Sequence, residues 1–295
     1  MKSLLLLFIV FLCTGCSYNI GVNNANSGEL NAEISEIQIA GVADNMEAAA
    51  KDFFITEDYE KASAIYSQLV SMSPDNKNYR FMLADAKRLA GDFDAALLHY
   101  QCLVDDPIFA SQAIEGRVLS FTQKGDFLHA VDAAVENPKI IDNSWKILNA
   151  IGIAYASINK MEEANLYYNR ALDIGGNHPC IMNNIALSRV LSGDTDRGIE
   201  EFEYILREHT MSDKLRKQVS LNLALAYGMG GKFDKAEEMA GKYLSGRELY
   251  NNMGIYSLMA SDEKLARVFL NKALNQSIIH YDKAWVNLHN LENGL

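Results

Sequence analysis

The chain has 295 residues, 49% of them hydrophobic, 22% charged and only four proline, which is the composition of a folded protein. Its net charge of -11 gives it no general attraction for nucleic acid, and no stripe of Lys and Arg interleaved with aromatics overrides that. Length alone suggests two domains, but a repeat architecture grows by addition and escapes that count.

Residues 1–15 differ in kind from the rest. Met1-Lys2-Ser3 gives a positive start, Leu4 to Leu12 is an unbroken apolar run of nine, and Cys13-Thr14-Gly15-Cys16 follows. The run is far shorter than the about 20 apolar residues that span a bilayer, so it reads as a secretory signal. The Thr-Gly-Cys ending resembles a bacterial lipobox. That resemblance implies cleavage just before Cys16, which then carries the lipid, although Cys13 stands where the lipobox usually has Leu. The alternative is an ordinary signal cut near Gly15. Ser17 resembles the default for the outer membrane, where Asp would favour inner-membrane retention. The expected place is therefore the periplasmic face of the outer membrane, held by lipid. No later segment is long and apolar enough to cross a bilayer. Cys102 and Cys180, 78 residues apart, read as buried free thiols.

Residues 16–42 read as the lipidated cysteine and a flexible tether. Asn23-Asn24-Ala25-Asn26-Ser27-Gly28 is turn-like with no apolar face, and only Glu29 to Ile39 has some helical spacing.

From Ala43 a period of 34 takes over. Ala62, Ala96, Ala130 and Ala164 stand 34 apart, and Gly198 falls on the next mark. Large and aromatic residues recur around them, as in Phe53, Tyr59 and Tyr66, or Tyr155 and Tyr168. Gly91-Asp92, Gly125-Asp126 and Gly193-Asp194 recur at one turn, with Gly ending a helix and Asp capping the next. The later marks, Ala236 and Ala266, come after steps of 38 and 30, which sum to twice 34. Both length changes are expected in turns, where length costs little. The pattern resembles the tetratricopeptide repeat. It implies an all-α, right-handed superhelical solenoid of about seven helix pairs over 43–280, closed by a capping helix over 281–295 with Trp285, Leu288 and Leu291.

No catalytic or metal signature stands out. The six His make no paired spacing with a nearby acid, and the mature chain keeps no C-x-x-C. There is no phosphate-binding glycine loop and no nucleophile elbow. The chain is read as a non-enzymatic binder with no cofactor and no metal. In tetratricopeptide proteins the first helices line a groove. Laid on this sequence, its positions are Phe81, Asp85 and Arg88, then Glu115 and Leu119, Asn149 and Ile153, and Asn183, Leu187 and Val190. Leu221 and Leu225 come next, and Asn251, Ile255 and Leu258 close the row. The row turns apolar from its middle onward, with Asn at intervals, which suits an apolar segment whose backbone is held by amides. A shift of one position would instead put these aliphatics against neighbouring helices. The row lacks the Lys and Arg set that resembles a carboxylate clamp.

A lipobox, a polar tether and six or seven such units together resemble the pilotin-like lipoproteins of bacterial pilus and secretion machines. In layout they are most similar to the TadD-like lipoproteins of the Flp/Tad pilus. The resemblance implies a secretin or other pilus-assembly subunit as protein partner, with the membrane engaged through the N-terminal lipid. An envelope scaffold regulating cell-wall enzymes or other outer-membrane complexes is the alternative.

Overall fold

The computed structural model describes residues 33–276 and 281–293, and among these the fold is all-α. The signal segment, Cys16 and the start of the tether lie outside the described residues. The helices are α1 (Glu33–Ile55), α2 (Tyr59–Met72), α3 (Lys77–Leu89), α4 (Phe93–Gln101), α5 (Ala110–Lys124), α6 (Phe127–Val135), α7 (Pro138–Ile141) and α8 (Trp145–Ser157). They continue as α9 (Met161–Gly175), α10 (Pro179–Ser192), α11 (Thr195–Glu208), α12 (Asp213–Met229), α13 (Phe233–Gly241), α14 (Gly246–Met259), α15 (Glu263–Asn275) and α16 (Asp282–Glu292). They fall into two compact units, one ending at Ala154 and the other beginning at Tyr155.

Within each unit, consecutive long helices pack as antiparallel neighbours. Successive first helices also touch, α3 with α5 in one unit, and α10 with α12, α12 with α14 and α14 with α16 in the other. No single pair could bury its apolar face alone, and this stacking supplies the missing cover. Helix α1 starts at Glu33, ahead of the expected first unit. Residues 33–42, assigned above to the tether, contain no proline, and a single glycine is too small a penalty to end a helix.

The 34-residue marks are where helices meet. Ala62, Ala96, Ala130, Ala164, Ala236 and Ala266 are all fully buried. At Gly198 an added Cβ would collide with the Val190 side chain and sit 3.0 Å from the Ala186 carbonyl oxygen, so α10 and α11 cross there backbone to backbone. Tyr66, Tyr100, Tyr168 and Phe202, four residues after a mark, are sealed in the core. The Tyr66 hydroxyl is buried there without a hydrogen-bond partner.

Seven turns inside the pairs share one backbone feature. Gly91, Gly125, Gly193 and Gly231 have φ of +88°, +83°, +103° and +71°, and Glu57, Asn159 and Ser261 take the same left-handed turn at +57°, +63° and +63°. A side chain in this region crowds the following carbonyl, which glycine avoids. Ser261→Gly should therefore stabilise the second unit by about 0.5–1 kcal/mol, and Gly91→Ala should destabilise the first by about as much. Urea midpoints of the two variants check the opposite signs. The expected Asp caps are met in part. Asp92 accepts from the backbone N–H three residues on, whereas Asp126 and Asp194 make no such bond; Asp58 and Asp262, at turns without glycine, cap in the same way as Asp92. Asp126 instead lies 2.7 Å from His129 Nδ1.

The extra residues lie mainly in a helix, and the missing ones lie in a turn as expected. Helix α12 has 17 residues where α10 and α14 have 14, whereas the nine-residue α13 matches α4 and α6 and is followed by a connection, 242–245, shorter than the one over 102–109 after α4. Adding helical residues leaves every new backbone group hydrogen-bonded, which a longer loop would not do.

Candidate functional site

In the first unit, Phe81, Asp85 and Arg88 come together on α3, but around a tyrosine rather than beside an open surface. Phe81 packs against Tyr100 at 6.1 Å between ring centroids and against Phe109 at 5.6 Å. The Tyr100 hydroxyl donates to Asp85 Oδ1 at 2.5 Å and accepts from Arg88 Nε at 3.3 Å. Arg88 Nη2 donates to Asp85 at 3.1 Å, and its Nη1 reaches Gln123 of α5 at 3.4 Å. Burial, with the Asp85 carboxylate beside it, holds the Tyr100 hydroxyl protonated well above the usual phenol range. The guanidinium thus joins α3, α4 and α5 from inside. Gly116 of α5 makes this possible, because an added Cβ there would fall inside the Tyr100 ring.

Leu119 on α5 and Asn149 and Ile153 on α8 are buried. Glu115 stays at the rim of the unit, where it accepts from Ser144 Oγ at 2.7 Å and pairs with Lys146 Nζ at 3.1 Å.

The second unit gathers the apolar half of the row. Leu187 and Val190 of α10, Leu221 and Leu225 of α12, and Ile255 of α14 belong to one apolar cluster. Amides run beside them. Asn222 Nδ2 donates to Asn183 Oδ1 at 3.0 Å, Asn183 Nδ2 donates to Asn184 Oδ1 at 3.1 Å, and Asn287 of α16 donates to Asn251 Oδ1 at 3.0 Å. Each inter-helix pair ties one first helix to the next, since buried amides demand partners. Of the fifteen row residues, all are buried except Asp85, Glu115 and Leu258, which are partly exposed, so most of the row does not line an open groove but packs against neighbouring helices.

Three contributors were not singled out from sequence. Tyr100 stands four residues after the Ala96 mark, and its hydroxyl is what closes the Asp85–Arg88 cluster. Asn222 and Asn287 complete the amide pairs. The adjacent asparagines Asn183-Asn184 and Asn251-Asn252, each 68 positions from the other pair, were the available signal. Neither Cys102 nor Cys180 is joined in a disulfide, but Cys102 is exposed and only Cys180 is buried. Cys102 follows the nine-residue α4 and lies on its outer side, with its thiol directed to the Leu98 carbonyl. Among the described residues, no cluster of His, Cys, Asp and Glu is placed to hold a metal ion, and no helix is long and apolar enough to cross a membrane.

Two family profiles, each described as tetratricopeptide repeat, match residues 47–109 and 146–177. No curated protein sequence matches the chain. Among solved structures, a tetratricopeptide repeat protein from Parabacteroides merdae is similar, with a TM-score of 0.58 and 18% identity over 85% of this chain and 99% of that one. A thermophilic tetratricopeptide protein from Thermus thermophilus has a TM-score of 0.53 and 15% identity over 61% of this chain and 98% of its own. The pilF protein of Pseudomonas aeruginosa has a TM-score of 0.53 and 11% identity over 76% of this chain and 98% of its own. The chain carries tetratricopeptide repeats, and its fold is that of tetratricopeptide proteins. Such repeats are protein–protein interaction scaffolds.

Proposed function

We propose that this chain is a lipid-anchored assembly factor that holds an apolar segment of a secretin or other pilus-assembly subunit at the outer membrane. The observation that carries this reading is the partly exposed end of the first-helix row of the second unit, at Leu258. Behind it the aliphatic side chains of α10, α12 and α14 and their paired asparagines are buried and join the helices to one another. An exposed aliphatic at the end of that row favours an apolar client. The Cys16 motif supplies the address: a lipidated cysteine with several acyl chains stays on a membrane surface. The resemblance to the TadD-like lipoproteins supplies the client class.

The chemistry is one of binding and delivery. Lipid fixes the scaffold, the exposed end of the row engages the client, and the subunit reaches the membrane where it assembles. Cys16→Ser should move the protein from the membrane fraction to the soluble periplasm, and deletion of the gene should remove heat-stable secretin multimers. Multimers unchanged by the deletion would contradict the pilus reading and leave the envelope scaffold. A protein that stays membrane-bound as Cys16→Ser would contradict the anchor.

A further inference from the structure

From the first unit we infer a second binding site, one that takes a primary ammonium group of a peptide. The site is an open cavity of about 510 Å³ at the break after α6. Asn137-Pro138 ends the second helix of that pair, and the short α7 and its following turn reroute the chain. The result is a space walled by α5 on one side and by the turn and the start of α8 on the other. Gln112 and Glu115 line the first wall, and Asn143, Ser144, Trp145 and Lys146 line the second.

Its acceptor chemistry suits a cation that competes with Lys146 for Glu115. Glu115 is the only carboxylate lining the cavity. One of its oxygens takes the Ser144 hydroxyl at 2.7 Å and the other takes the Lys146 ammonium at 3.1 Å. A carboxylate offers about four lone-pair sites, so each oxygen retains acceptor capacity. Lys146 shows that this carboxylate accepts a primary ammonium at the cavity wall. Trp145 also lines the cavity, and indoles attract cations. The amides of Gln112 and Asn143 suit the peptide bonds that flank such a group.

The unit around the cavity strengthens the choice. Between residues 33 and 154 the chain has 19 acidic and 10 basic residues, a net -9 of the total -11. Such a field raises the local concentration of cationic groups and repels carboxylates. A lysine side chain and a free amino terminus present the same ammonium, and the experiment separates them. The inference rests on the protein-binding reading only for choosing a peptide as the carrier.

Trp145 and Trp285 are the two tryptophans of the chain, so in the full chain carrying Trp285→Phe the indole emission reports the cavity. Three capped or free alanine pentapeptides serve as probes. The first is acetylated and amidated with one central lysine, the second is the same with that lysine Nε-acetylated, and the third has no lysine but a free amino terminus. A saturable change with the first or the third, and none with the second, is expected. The responding peptide names the source of the ammonium. Glu115→Gln should weaken binding by roughly 10- to 100-fold. Lys146→Met removes the internal competitor and should tighten it by more than about threefold. A merely structural Glu115–Lys146 pair would move both variants in the same direction. The site is refuted by no response to either ammonium peptide, by equal binding of the acetyl-lysine peptide, or by unchanged or weaker binding in Lys146→Met. No secretin takes part in this titration, so its failure leaves the client reading of the second unit standing.

Discussion

Asp85→Ala should destabilise the first unit by about 3–5 kcal/mol, the cost of leaving a buried charge without its partner. The side chains of Arg88 and Asp85 are only 9% and 15% exposed, so water cannot replace the lost carboxylate as it does for a surface pair. The remaining bonds of Arg88, to Tyr100 and Gln123, are to neutral groups at 3.3 and 3.4 Å. The same substitution strips the Tyr100 hydroxyl of its acceptor. Removing both charges separates this account from a simple loss of packing. Arg88→Met with Asp85→Ala should recover much of the stability, because an apolar side chain of similar length no longer needs a counter-charge. Urea unfolding of the single and double variants measures it. A double variant as unstable as the sum of the two singles would contradict the coupling.

Phe202→Ala carries the second large expected effect, a loss of about 3–5 kcal/mol in the second unit. Phe202 is fully buried in the apolar cluster that spans α10 to α15. Truncation removes the ring from contact and leaves a cavity that backbone held by neighbouring pairs cannot close. Phe202→Leu keeps most of the volume and should cost less than about 1.5 kcal/mol. Equal losses for the two substitutions would show that the ring does not fill the core as described.

The repeat was legible because its signal is steric and local. A small residue is required wherever two helices cross closely, and Ala62 to Ala266 mark those crossings in the chain itself. Four of the seven left-handed turns were legible through glycine, but Glu57, Asn159 and Ser261 adopt the same φ with side chains that do not announce it. Turn geometry there is imposed by the helices on either side. The missing residues after α13 fall in a turn, as expected, but the extra ones fall mainly in α12, because a sequence shows a change in spacing but not which element absorbs it. The row was harder. Asp85 and Arg88 satisfy the groove positions by count, yet their partner Tyr100 comes from the next helix, and no spacing rule joins the three. Gly116 escaped notice because it lies off the 34-residue marks, and its need for smallness comes from a ring on another helix. The cavity beside Glu115 depends on where Asn137-Pro138 sends the chain, which composition does not reveal.

The central claim is that the exposed end of the first-helix row of the second unit is the seat of a client protein. Leu258 is partly exposed at one end of that row, and Leu98 is exposed on α4 of the other unit. A photoreactive amino acid placed at each position in turn, in cells that assemble the machine, tests the claim most directly. The account predicts a single crosslinked adduct with a secretin or other pilus-assembly subunit from position 258, and none from position 98. Adducts of equal yield from both positions, or none from 258 while the protein remains functional, would contradict it.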